Sequence, residues 1–111
     1  MPEKATIGQF EQTVLAAVAS QRDNAYGISI HAAAAELASP KAVSLGAVYA
    51  TLDRLEAKGL LDSRRVHGEG PSRRQFELTR SGARALAETR AMREQLWSGV
   101  DLRRLLGLAR A

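Results

Sequence analysis

Apolar residues in the first part of the chain recur at helical spacing. Phe10, Val14, Leu15 and Val18 fall three or four positions apart between Gly8 and Ser20, which predicts a helix with one buried face. Thr6 is the expected N-cap, with Gln9 as its capping-box partner. The polar stretch Ser20 to Asn24 suits a turn. A second helix is expected from Tyr26 to Leu37, burying Ile28, Ala32 and either Ala35 or Leu37. Its alanine-rich middle favours helix, and Pro40 ends it by disfavouring helical geometry in the preceding residue. In the third helix Leu45, Val48, Tyr49, Leu52 and Leu55 form one continuous apolar stripe behind the N-cap Ser44. Lys58 complements its dipole and Gly59 stops it as a left-handed cap.

Periodicity then changes. Leu60 to Val66 and Arg74 to Leu78 read as short strands, and the glycine- and proline-punctuated stretch His67 to Ser72 between them predicts a hairpin with a long tip. Phe76 and Leu78 are expected to point inward. Thr79 caps a fourth helix reaching about Trp97, Ser98-Gly99 marks a break, and Val100 to Leu108 suits a last helical turn or two. The order helix, helix, helix, strand, strand, helix describes a mainly α fold with a small β-hairpin, a winged helix-turn-helix over residues 6–79. Residues 80–111 form a C-terminal dimerisation helix and tail.

Composition narrows the function more than the fold. Among 111 residues, 16 Lys and Arg outweigh 12 Asp and Glu, for a formal charge of +4, and a basic domain attracts anions, nucleic acid foremost. The chain has no cysteine, which excludes disulfides, thiolate zinc sites and a cysteine nucleophile. The N-terminus lacks a signal-peptide core, and the apolar run Val14 to Ala19 is too short to span a bilayer. A soluble, cytoplasmic protein without membrane association, cofactor or metal is expected. Catalysis is not: His31 and His67 are the only imidazoles, and neither lies beside a convincing nucleophile. His67 and Glu69 have the spacing of a zinc deaminase motif without its cysteines, and Gly68-x-Gly70 lacks the lysine of a phosphate-binding loop. His31 is expected on the surface.

A third helix followed by a wing points to the major groove of double-stranded DNA. The face opposite its apolar stripe carries Ser44, Gly46, Ala47, Ala50, Thr51 and Arg54. Small residues there permit close approach, and the polar ones can bond phosphates or bases. An ordinary solvated helix face would show the same pattern. The wing supplies context: Arg64 and Arg65 precede its tip, and Arg73 and Arg74 follow it. Arginine forks suit phosphate oxygens, and Arg73 and Arg74 are the better placed pair.

These residues, taken in order, resemble the PadR family of transcriptional regulators. The resemblance runs from Gly8-Gln9-Phe10-Glu11 through Ala25-Tyr26-Gly27-Ile28 and Val43 to Glu56, then Lys58-Gly59-Leu60-Leu61. It closes with Gly70-Pro71-Ser72-Arg73-Arg74, Phe76-Glu77-Leu78-Thr79 and Gly82. It implies a homodimeric repressor, with Ser44, Gly46, Ala47, Tyr49 and Arg54 on the DNA-facing helix and Arg73 and Arg74 in the wing. Tyr49 falls on the apolar stripe, so its ring is expected in the core with the hydroxyl within reach of a phosphate.

In the fourth helix Ala85, Leu86, Thr89, Met92 and Leu96 make a narrow apolar stripe. A monomer would leave Met92, Leu96, Trp97, Val100 and Leu102 with little core to cover them, so Leu86, Thr89, Met92, Leu96 and Trp97 are the expected dimer interface. Paired Trp97 rings near a two-fold axis would also suit a small aromatic effector, against the plainer reading of Trp97 as an interface anchor. The competing function is a winged helix that binds protein and not DNA, since a fold does not fix its use. Such a module should carry an apolar or acidic patch where this chain has arginines.

Overall fold

A computed structural model describes residues 7–111, and its elements follow the expected order with several shifted faces. Helix α1 (Gln9–Gln21) starts behind Gly8, whose N–H donates to the Glu11 carboxylate at 2.9 Å. The reciprocal capping partner is therefore Glu11 and not Gln9; Thr6 lies outside the described residues. Val14, Leu15, Ala17 and Val18 are buried on one side of α1. A short 3-10 turn (Arg22–Asn24) follows, and Ala25 and Tyr26 then lie along the hairpin, with the Phe76 N–H donating to the Ala25 carbonyl at 2.8 Å.

Helix α2 (Gly27–Ala38) is where burial departs most from the pattern. Gly27, Ile30 and Ala34 are buried, whereas Ile28 and Leu37 are 74% and 60% exposed and Ala32 is exposed as well. An alanine-rich helix has no strong apolar phase, so Ile28/Ala32 and Ile30/Ala34 offered equivalent pairs four residues apart. Packing against α3 (Leu45–Ala57) decided between them: the Tyr49 hydroxyl lies so close over Gly27 that any Cβ there would collide with it.

The buried stripe of α3 also differs from the expected one. Val48, Thr51, Leu52 and Leu55 are buried, while Leu45 is 41% exposed. Ser44 caps the helix by accepting from the Ala47 N–H at 3.0 Å, and Gly59 follows it at φ +78°, a conformation that glycine adopts without steric cost.

Strands β1 (Leu61–Gly68) and β2 (Gly70–Leu78) pair antiparallel, from Leu61 opposite Leu78 to Gly68 opposite Gly70. Glu69 alone lies between the paired glycines, so the expected long tip is strand. Its Gly, Pro and polar residues concealed the alternation, because this far end of the hairpin has no core to face. Phe76 is fully buried and Leu78 packs against the core.

Helix α4 (Arg80–Ser98) begins with Thr79, whose hydroxyl oxygen accepts from the Gly82 N–H at 3.0 Å and donates to the Gly59 carbonyl at 2.6 Å. Gly82 rests against the Leu60 carbonyl, leaving no room for a Cβ. Beyond Thr89 every residue is exposed. Asp101 then caps α5 (Leu102–Arg110) by accepting from the Arg104 N–H at 3.2 Å.

Candidate nucleic-acid interface

The outward side of α3 begins as a nearly bare surface. Gly46, Ala47 and Ala50 are exposed, and nothing lies within 4 Å of a Cβ built on Gly46. Its polar groups are already engaged. The Ser44 hydroxyl caps the helix, and Arg54 donates to the Thr51 hydroxyl at 3.2 Å. Thr51 is only 2% exposed, which corrects its expected place on the groove-facing side: it is buried with Val48, Leu52 and Leu55, and Arg54 satisfies its oxygen. Arg54 turns toward α1, where its Nε lies 3.4 Å from the Glu11 carboxylate.

Glu11 ties α1 to the end of α3. Lys58 Nζ lies 2.8 Å from Glu11 Oε2. Burial alone would raise the Glu11 pKa, but hydrogen bonds from Lys58 and the Gly8 N–H, with the nearby Lys58 and Arg54 charges, hold it below the ordinary carboxylate value. A second tie comes from His31, which is half-buried with its Nε2 2.7 Å from the Val43 carbonyl just ahead of α3. The expected surface histidine therefore staples α2 to the turn before α3. The partners are 12 positions apart, and no local pattern announces the pair.

The wing sorts its arginines by role. Arg73 and Arg74 sit within β2, opposite Val66 and Arg65, and not in a loop. The Arg73 guanidinium stacks over the Tyr26 ring, 4.3 Å from its centre, a cation–π contact. Arg74 instead reaches α3, donating to Asp53 at 3.0 Å and Glu56 at 2.9 Å. Burial would lower the Arg74 pKa, but the two carboxylates outweigh it and raise it. Arg64 donates to the Gln75 side chain across the hairpin, and Gln75 Nε2 donates to the Asp23 carbonyl. Arg65 is exposed and, with Arg73, Tyr26, Ile28 and Tyr49, lines a cleft of about 630 Å³ between α2, α3 and the wing. Tyr49 is 36% exposed and lines this cleft, so it is wall as much as core. Arg65, one of the four arginines flanking the tip, thus joins Arg73 at this cleft.

This geometry coincides with a family match: the model of the transcriptional regulator PadR-like family matches residues 14–88. The chain belongs to the PadR-like family. It is a family of transcriptional regulators, not of enzymes. Over 54 residues the chain is 46% identical to the transcriptional regulator Rv3488 of Mycobacterium tuberculosis, a match that spans 49% of this chain and half the length of that relative. A PadR family regulator from Eggerthella lenta is 30% identical, with a TM-score of 0.64 over 78% of this chain and 76% of its own. The fold extends to a PadR family regulator from Clostridium difficile at 22% identity and a TM-score of 0.63, covering 94% of this chain and all of the other. Among the described residues, no helix is long and apolar enough to cross a membrane.

The expected dimer residues lie along α4. Leu86 packs partly on the core and Thr89 is half-buried, its hydroxyl donating to the Ala85 carbonyl at 2.8 Å. Met92, Leu96 and Trp97 are 70%, 71% and 56% exposed. The apolar side chains continue through Val100 into Leu102, Leu105 and Leu106 of α5, all exposed.

Proposed function

We propose that this PadR-like chain is a cytoplasmic, DNA-binding repressor that acts as a homodimer on an inverted-repeat operator. The observation that carries the reading is the cleft where Tyr49 of α3 meets Arg65 and Arg73 of the wing, beside the bare surface of Gly46, Ala47 and Ala50. In it α3 enters the major groove and the wing arginines take backbone phosphates. Ser44, Gly46, Ala47, Tyr49 and Ala50 form the groove-facing set with Arg73; Arg65 joins them, and Thr51 leaves. Arg54 stands at the margin through its pairing with Glu11.

Because Thr51, Asp53, Arg54 and Glu56 of α3 are engaged, base discrimination falls mainly to methyl contacts and close approach, with the Tyr49 hydroxyl left for a phosphate. Ala47 and Ala50 suit the C5-methyl of thymine. Replacing a contacted thymine by uracil is expected to weaken binding about threefold to fourfold, the worth of one buried methyl group.

The exposed apolar row from Met92 to Leu106 supports pairing of two copies through α4 and α5. Two recognition helices about one turn of DNA apart then call for a symmetric site. Trp97 serves as an anchor of that interface; a flat aromatic ligand seated between two such rings would reveal itself by a change in tryptophan fluorescence.

Selection from a random duplex library tests the whole reading. An enriched inverted repeat, bound with a steep salt dependence, is the expected result. No binding at low salt would leave a winged helix that docks on protein.

A further inference from the structure

Arg73 and Arg74, neighbours on β2, both line the cleft but engage different partners. No carboxylate pairs with Arg73 among the described residues, and it stacks on Tyr26 at the cleft. Arg74 bridges Asp53 and Glu56, also donates to the Ser63 hydroxyl at 3.3 Å, and lies over the Phe76 ring, 4.8 Å from its centre. Ser63 donates in turn to both oxygens of Glu56, at 2.8 and 3.0 Å. Phe76 is fully buried and sits opposite Ser63 in the hairpin register. The guanidinium is thus held where the wing leaves the core, on three sides at once.

We propose that Arg74 is a positioning residue that locks the wing to α3 at the spacing Arg65 and Arg73 need to meet phosphates, and does not itself contact DNA. This rests on the reading of α3 and the wing as the DNA interface. Asp53 and Glu56 stand one turn apart on α3, with side chains 63% and 35% exposed. If Arg74 swung out to a phosphate, it would give up two charge-assisted bonds and its stacking on Phe76. It would also leave two bare carboxylates facing a polyanion. A planar fork bound at both prongs loses its freedom to rotate. The backbone carrying Arg74 is thereby fixed, and with it Arg65 across the ladder and Arg73 next along the strand.

The alternatives differ in sign for the double substitution Asp53→Asn with Glu56→Gln, which keeps shape and removes both negative charges. Were Arg74 a phosphate contact, releasing it and deleting two repulsive charges would tighten binding and steepen the salt dependence. As a positioning residue it loses its anchor, and affinity for the selected duplex falls about fivefold to tenfold, the cost of ordering a loosened element on binding. Arg73→Ala then costs about tenfold in the native background but only about twofold in the double variant, since the two act as a unit. Tightened or unchanged binding overturns the proposal.

A measurement without DNA separates this from the interface reading. Amides of the hairpin beyond Ser63 and Phe76 should exchange about tenfold faster in the double variant, with global unfolding unmoved. Unchanged exchange also overturns the lock. If the native protein selects no duplex, the interface reading fails and the role in DNA binding falls with it, while exchange still decides whether Arg74 anchors the wing.

Discussion

From Val14 to Ala85 most large apolar side chains gather into one core, whereas from Met92 to Leu108 every one of them faces outward. Both regions carry leucines at helical spacing and both helices of the second region are properly capped. The difference lies in what each can reach. Helix α1 is met by α2, α3, β2 and α4, whose Arg93 donates to the Gln12 side chain at 3.1 Å, while every residue from Arg90 through α5 is exposed. The Cα radius of gyration is 16.7 Å, against about 13 Å for a compact chain of this length. This uncovered amphipathic arm is the surface proposed above for pairing of two copies, whereas on the wing side Arg73 is already stacked on Tyr26 and Arg74 paired with Asp53 and Glu56, with Arg65 left exposed.

The largest expected contrast is in stability. Leu52→Ala, in the core, should cost about 2–5 kcal/mol in urea unfolding. Leu96→Ala combined with Trp97→Ala should leave single-chain stability within about 0.5 kcal/mol. It should instead weaken self-association more than about tenfold, read by sedimentation equilibrium, since buried aromatic anchors dominate interfaces. A double variant that unfolds like Leu52→Ala at every concentration would erase the distinction between core and arm.

Next comes the buried carboxylate. Glu11 has a folded-state pKa depressed below its ordinary 4.5. The stability it contributes is present above that value and is lost as pH falls through the lower folded one. Glu11→Gln should therefore be about 1 kcal/mol less stable than the native chain at pH 7. The gap should close below pH 4.5. A gap that persists at pH 2 would mean that Glu11 acts by shape and not by charge.

The smallest effect separates folding from recognition. A Cβ at Gly46 meets nothing within 4 Å, so Gly46→Ala should stabilise α3 by about 0.5–1 kcal/mol. The same methyl stands where DNA is proposed to approach, so operator affinity should fall while the melting temperature rises. If both rise together, that surface is not the one that meets DNA.

How much of this was legible varies by residue. Thr79 and Ser44 were recognisable as caps, and Gly59 as a stop, because each acts on backbone within three residues of itself. Thr51 was not legible as a buried residue because its hydroxyl reads as polar, although it shares one helical face with Val48, Leu52 and Leu55. Arg73 and Arg74 look alike in any composition or charge count. Their roles part because one meets Tyr26 and the other meets two carboxylates.

Local chemistry in the chain determined the order of helices and strands, their caps and stops, and the gathering of arginines around a hairpin, since these depend on short-range geometry. Tertiary structure decided which side of α2 is buried, that β1 and β2 run nearly to the tip, and which cations are engaged. The physical reason is separation: Glu11 meets Lys58 across 47 positions and Arg74 meets Asp53 across 21. Such pairings exist only once distant surfaces have closed on one another.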